Sequence, residues 1–239
     1  MSDVCNKALV VLGILVLMAA AGISSAVAAD AITPFNGKNL DGWTCKGKIE
    51  DSKWAVGIAA VDPNNPRALV VTPASDGKGE MVTTTGQGQD IFTVQKFGDC
   101  TIEVEVMVPQ GSNSGVYVSG EYEIQVLDSF GKTKVGPGDM GGLYGIGAPK
   151  VNACKKPGEW QKFVIQFQAP RFKDGKKVAN ARFIKMVLND EVIHENVEMK
   201  QQTPGGVAGK EAPEGPLMLQ GNHGPVAYRN IKITLPPEK

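Results

Sequence analysis

Apolar and polar residues alternate with a period of two over long stretches of the chain, the pattern of strands half-buried against a core. From Cys100 to Val108 the even positions Cys100, Ile102, Val104, Val106 and Val108 are apolar, while Thr101, Glu103 and Glu105 are polar. Val116 and Val118 alternate with Tyr117 and Ser119. Tyr122, Ile124 and Val126 alternate with Glu123 and Gln125, and Phe163, Ile165 and Phe167 with Lys162 and Gln166. Further strands are predicted at Lys53–Ile58, Ala68–Thr72, Arg182–Leu188, Glu191–His194 and Arg229–Leu235. Asn189-Asp190 predicts a tight hairpin turn. About a dozen short strands with one apolar face each predict an all-β fold, a jelly-roll β-sandwich of two antiparallel sheets.

The 29 glycines and 15 prolines are scattered and divide the chain into short segments. Two Gly-rich links, 131–149 and 203–216, exceed ordinary hairpin lengths and are candidate rim loops over a site. The N-terminus reads differently. Lys7 precedes an apolar run from Ala8 to Ile23, and small residues follow to Ala26-Val27-Ala28-Ala29. This order predicts a secretory signal over residues 1–29, with an uncleaved anchor as the alternative. The expectation is an exported protein, periplasmic or extracellular, whose residues 30–239 form one domain without repeats.

Charge narrows the partners. The formal net charge is zero and no Lys/Arg cluster stands out, so neither nucleic acid nor, after signal cleavage, a membrane is expected. An uncharged ligand suits this balance. Removal of Cys5 with the signal leaves Cys45, Cys100 and Cys154, an odd number that allows at most one disulfide within the chain. No H-x-H, C-x-x-C or D-x-D-x-D-G pattern is present. No cofactor is therefore expected, and a divalent cation, though admissible, has no motif behind it.

The candidate chemistry starts at Tyr122–Ser129, where Glu123, Gln125 and Asp128 have the spacing E-x-Q-x-x-D. Alternate side chains of a strand share a face, so Glu123 and Gln125 point the same way; Asp128 joins them only across a β-bulge. Two carboxylates flanking an amide suit acid/base work on a sugar. Asp128, before Ser129 at a strand end, equally suits a turn cap. His223, in the Gly-flanked turn from Gln220 to Gly224, has a side chain suited to proton transfer near neutrality. His194, at the end of a hairpin strand, is expected to be exposed. Arg229 shares register with Ile231 and Ile233 and would point inward, unless the strand bulges, to pair with Glu123 or Glu105. Asn113, Tyr117, Gln125, Glu105 and Gln220 are candidate sugar contacts. Trp43, Trp54 and Trp160 are expected in the core rather than stacked on sugar.

In this order the residues resemble the 3-keto-disaccharide hydrolase domain family. The resemblance rests on FNGKNLDGW (Phe35–Trp43), NSGVY (Asn113–Tyr117), YEIQVLDS (Tyr122–Ser129), GLYG (Gly142–Gly145), PGEW (Pro157–Trp160), LMLQGNHG (Leu217–Gly224) and YRNI (Tyr228–Ile231). One departure is Ser119-Gly120, where such domains often carry Arg. The resemblance implies a concanavalin A-like sandwich whose concave sheet receives a saccharide. It also makes E-x-Q-x-x-D similar to a degenerate laminarinase-type motif. Gln125 cannot ionise and Asp128 is short, which argues against retaining hydrolysis with paired carboxyl groups. The implied chemistry acts on a 3-keto sugar: deprotonation next to the ketone, elimination of the anomeric substituent and hydration. Glu123 would be the base, His223 or Asp128 the proton donor, and Arg229 the enolate stabiliser. The alternatives are a non-catalytic carbohydrate-binding module and a conventional endo-glycanase using Glu123 and Asp128.

Overall fold

The computed structural model describes residues 31–237; the expected signal at 1–29 lies outside them. Among the described residues, a nine-stranded and a five-stranded antiparallel sheet carry the fold. The larger runs in the order Glu191–Met199, Ala181–Leu188, Gln161–Gln168, Cys100–Met107, Val226–Thr234, Glu80–Thr83, Ala55–Asp62 and Asn65–Thr72, with Ala31–Ile32 paired beside Val226–Thr234. The smaller runs Trp43–Cys45, Ile91–Thr93, Met218–Leu219, Asn113–Val118 and Tyr122–Leu127. The fold is thus the all-β sandwich of jelly-roll type that the alternation predicts. The hairpin at Asn189-Asp190 is present, and both residues have positive φ (50° and 71°), as the tight primed turn requires.

Period-two alternation places the core. Ile102, Val104, Val106, Phe163, Ile165, Phe167 and Ile233 of the large sheet pack against Ile91, Val116, Val118, Ile124, Val126 and Leu219 of the small one. The opposite face of the small sheet, carrying the odd-numbered residues Asn113 to Gln125, is left for other work.

Two expectations fail for reasons of register. Arg229 does not point inward. The Val226–Thr234 strand bulges between Arg229 and Lys232, with Asn230 at φ 50°. The extra residue buries Tyr228 and Ile231 and turns Arg229 out. His194 is not exposed but 4% accessible. The pairing shifts between Met186 and Val187, Ile193 and His194 are both covered, and the His194 ring nitrogen Nε2 bonds the Gly141 carbonyl at 2.8 Å. Cys45, Cys100 and Cys154 are free thiols. Trp43 and Trp54 are buried as expected, while Trp160 lies under the Arg229 guanidinium, 4.0 Å from it.

Candidate functional site

The outward face of the five-stranded sheet is ordered by pairing. Tyr117 lies opposite Glu123, Gly115 opposite Gln125, and Met218 opposite Tyr117. No bulge interrupts the Asn113–Val118 and Tyr122–Leu127 pairing, so Glu123, Gln125, Asn113 and Tyr117 share this face. They line a cleft of about 250 Å³ together with Gln220, His223, Tyr144, Pro204 and Gly205. Both long Gly-rich links contribute to it. Segment 140–144 pairs with the outer edge of the Tyr122–Leu127 strand through Gly141 N–H to Gln125 O, Gln125 N–H to Gly142 O (2.8 Å each) and Tyr144 N–H to Glu123 O (3.2 Å). This covers the edge and delivers Tyr144 to the cleft. The second link is fastened at Thr203, whose N–H and hydroxyl both bond Glu121 O, while Thr203 Oγ1 accepts the Glu123 N–H at 2.9 Å.

Glu123 is 4% exposed with its carboxyl in this cleft. Burial raises its pKa from 4.5 to about 7, against a lowering by the hydrogen bond from Tyr117 and with a further rise from the Asp90 charge. The Tyr117 hydroxyl is 3.2 Å from Pro204 O and accepts a 3.4 Å bond from Gln220 Nε2. Burial, and next the Glu123 charge, raise its own pKa, so it is a neutral donor. Gln125 Nε2 donates to Asn113 Oδ1, which orients both amides. Gln220 is buried and its Oε1 has no partner among the described residues. An open acceptor in a cleft wall asks for a donor from outside. His223 is exposed at the mouth, its Nδ1 beside Asn222 Oδ1.

Three expected site residues lie elsewhere. Asp128 follows the strand end and turns away: it accepts Gly111 N–H (2.9 Å) and Phe130 N–H (3.3 Å) and borders a different cleft with Gln110 and Lys156. Without a bulge it cannot join Glu123, and it acts as a turn cap. Arg229 and Glu105 are on the outer face of the large sheet, bonded to each other at 2.8 Å, with Glu80 3.1 Å from the same guanidinium. A cavity of about 720 Å³ lies there. Its carboxylates are all paired, because Lys162 and Lys232 flank Glu103 as Arg229 does Glu80 and Glu105.

Asp90 is the site feature that sequence reasoning misses; Tyr144 and the Pro204–Gly205 wall come from the two links expected as rim loops, though neither residue stands out there. Asp90 precedes the Ile91–Thr93 strand, too short to show a period. It accepts Gly221 N–H at 2.9 Å, and burial, foremost, raises its pKa. Among the described residues no group of three or more His, Cys, Asp or Glu is placed to hold a metal ion.

A sandwich with a buried carboxyl among amide and phenol donors suits a glycoside hydrolase-like, carbohydrate-active protein. The chain belongs to the family of the 3-keto-alpha-glucoside-1,2-lyase-like domain, whose profile matches residues 30–234. A 3-keto-disaccharide hydrolase of Bacteroides thetaiotaomicron is 28% identical over 161 residues, 56% of this chain and 51% of that protein. The chain therefore spans about half the length of this curated relative. A crystal structure of a candidate glycosyl hydrolase from Parabacteroides distasonis superposes with a TM-score of 0.65 at 29% identity, over 86% of this chain and 83% of that one. A second from the same organism shares the fold, with a TM-score of 0.57 at 18% identity over 85% and 93%.

Proposed function

We propose that the protein cleaves a 3-keto glycoside by elimination followed by hydration, with Glu123 as the base. The observation that carries this reading is the Glu123 carboxyl, titrating near 7 inside the cleft, where a carboxylate is basic enough to take a carbon-bound proton yet still ionised in useful amount. A ketone at the sugar's third carbon acidifies the hydrogen on the second. Glu123 removes that proton and the electron pair enters an enediolate. Collapse of the enediolate forms a double bond between the first and second carbons and breaks the bond to the anomeric oxygen. The departing oxygen leaves with a proton from His223, at the mouth. Water then adds: its oxygen bonds the first carbon, the proton it sheds restores His223, and Glu123 returns the proton it took to the second carbon.

The family description and the relative's name support this sequence of steps. Elimination across the first two carbons is a lyase step, and elimination plus hydration is net hydrolysis. With Arg229 on the other sheet, enediolate charge falls to the cleft's hydrogen-bond donors, Tyr117, Tyr144 and the Asn113 amide. Gln220 Oε1 takes a sugar hydroxyl. The endo-glycanase alternative loses its second carboxylate with Asp128. Export belongs to the same proposal, and N-terminal sequencing of the mature protein, expected to start at Ala29 or Asp30, checks it.

The deciding assay incubates the protein with 3-keto-trehalose and with trehalose itself. Release of free sugar from the keto form alone supports the reading, and cleavage of trehalose overturns it. Tight binding of the keto form without turnover would instead make the chain a carbohydrate-binding module.

A further inference from the structure

Two carboxylates, not one, stand on the cleft face of the five-stranded sheet. The Leu219–Ile91 pair sets the register of two of its strands, which makes Gln220 and Asp90, one step outward, cross-strand neighbours. On its other side Gln220 donates its N–H to Gly115 O at 2.9 Å, and Gly115 pairs with Gln125. Asp90, Gln220, Gly115 and Gln125 therefore form one row, and the Glu123 head lies over the glycine gap in it. The Asp90 carboxylate holds Gly221 N–H, with Asn222 N–H as a second backbone donor. It thus ties down the turn that brings Gln220 and His223 to the cleft. The charged and titratable groups facing Asp90 are His223, Lys46, Glu123, Tyr117 and Tyr228. The phenols are neutral, so Asp90 and Glu123 are the two groups whose negative charges oppose each other.

We propose that Asp90 is a positioning residue of this cleft: it anchors the Gln220–His223 turn through backbone bonds and sets its negative charge against that of Glu123. The inference deepens the proposed function, and its consequence for turnover rests on that reading; the anchor and the charge coupling are measurable without it.

The test is NMR on protein carrying ¹³C-labelled glutamate side chains and ¹⁵N-labelled backbone, with the Glu123 signal assigned from Glu123→Gln. Asp90→Asn keeps an oxygen for Gly221 N–H and removes the charge; Asp90→Ala removes both. In Asp90→Asn the Glu123 titration midpoint is expected to move down, while the amide signals of Gly221–Gly224 stay near their original positions. In Asp90→Ala those amide signals are expected to move as well. An unchanged Glu123 midpoint in Asp90→Asn overturns the proposal, as do unmoved turn amides in Asp90→Ala. Should the alanine variant not fold, the asparagine variant still decides. Turnover of 3-keto-trehalose is read alongside: an inactive wild type whose NMR shifts follow expectation sinks the proposed function and leaves Asp90 standing. Activity with an unmoved midpoint does the reverse.

Discussion

The Glu123 carboxylate lies directly over Gly115: a Cβ on Gly115 would stand 2.7 Å from Glu123 Oε1 and 3.1 Å from Tyr117 Cε2. The glycine of NSGVY is thus the floor on which the candidate base rests. Gly115→Ala must push the carboxyl aside, and both neighbours are buried and hemmed in by their strands. Overpacking of this kind costs about 1–3 kcal/mol. The expected outcome is a urea midpoint lowered to match, with kcat on 3-keto-trehalose falling at least about tenfold, because small misplacements of a reacting group are costly. A variant with wild-type kcat would show that the carboxyl position does not matter.

Glu123 makes opposite demands on activity and stability as pH changes. Its folded pKa of about 7 lies above the ordinary 4.5, so the folded state holds this proton more tightly than the unfolded chain. Its contribution is therefore greatest below about 4.5 and is lost as pH rises toward 7. A base, in contrast, works only when ionised. The acid limb of kcat/KM is expected to rise with pH with a midpoint of about 7. Glu123→Gln, which never ionises, is expected to abolish turnover and to be more stable than wild type at pH 8, the gap closing at low pH. Thermal melts at several pH values, with pH–rate profiles, check both signs.

Long strands of this protein are legible in its sequence because each buries one face, and burial of alternate residues leaves a period of two. The Cys100–Met107 and Gln161–Gln168 strands show it plainly. The cleft is legible in part for the same reason: Glu123 and Gln125 alternate with core residues and must share a face. What alternation cannot carry is an interruption of itself. The bulge at Asn230 sends Arg229 to the opposite side of the molecule from Glu123, and the shift after Met186 buries His194. Strands of two or three residues, such as Ile91–Thr93 and Met218–Leu219, are too short to have a period, which hides Asp90. Tyr144 and Gly205 come from loops whose course is set by backbone bonds to strand edges.

Asp128 and Arg229 separate the cleft from the rest of the molecule by experiment. Asp128→Ala removes the acceptor for two loop N–H groups and should cost about 1 kcal/mol, with kcat within about twofold of wild type. Arg229→Met leaves the buried Glu80 carboxyl, which accepts Ala59 N–H at 2.7 Å, without its counter-charge. Arg229 is itself about a third exposed, with a side-chain value of 34%, so the cost is expected at about 2 kcal/mol, below that of breaking a fully buried pair. Activity per folded molecule is expected to persist. Loss of kcat in either variant, at full folding by circular dichroism, would return that residue to the chemistry.

Thr203 offers a finer test, because it joins the cleft's floor to its wall. Its hydroxyl donates to Glu121 O at 3.0 Å and accepts the Glu123 N–H at 2.9 Å, and the next residues, Pro204 and Gly205, line the cleft. Thr203→Val keeps the shape and the backbone bond to Glu121 O but leaves a buried N–H and a buried carbonyl short of one partner. The expected destabilisation is about 1–2 kcal/mol. Glu123 stays in its strand, held by pairing with Tyr117, so the chemical step should change little. The wall against Tyr117 loosens instead. KM for 3-keto-trehalose is therefore expected to rise severalfold with kcat nearly unchanged, as when uniform binding is lost. A fall in kcat at constant KM would mean that the Thr203 bond positions the base rather than the wall.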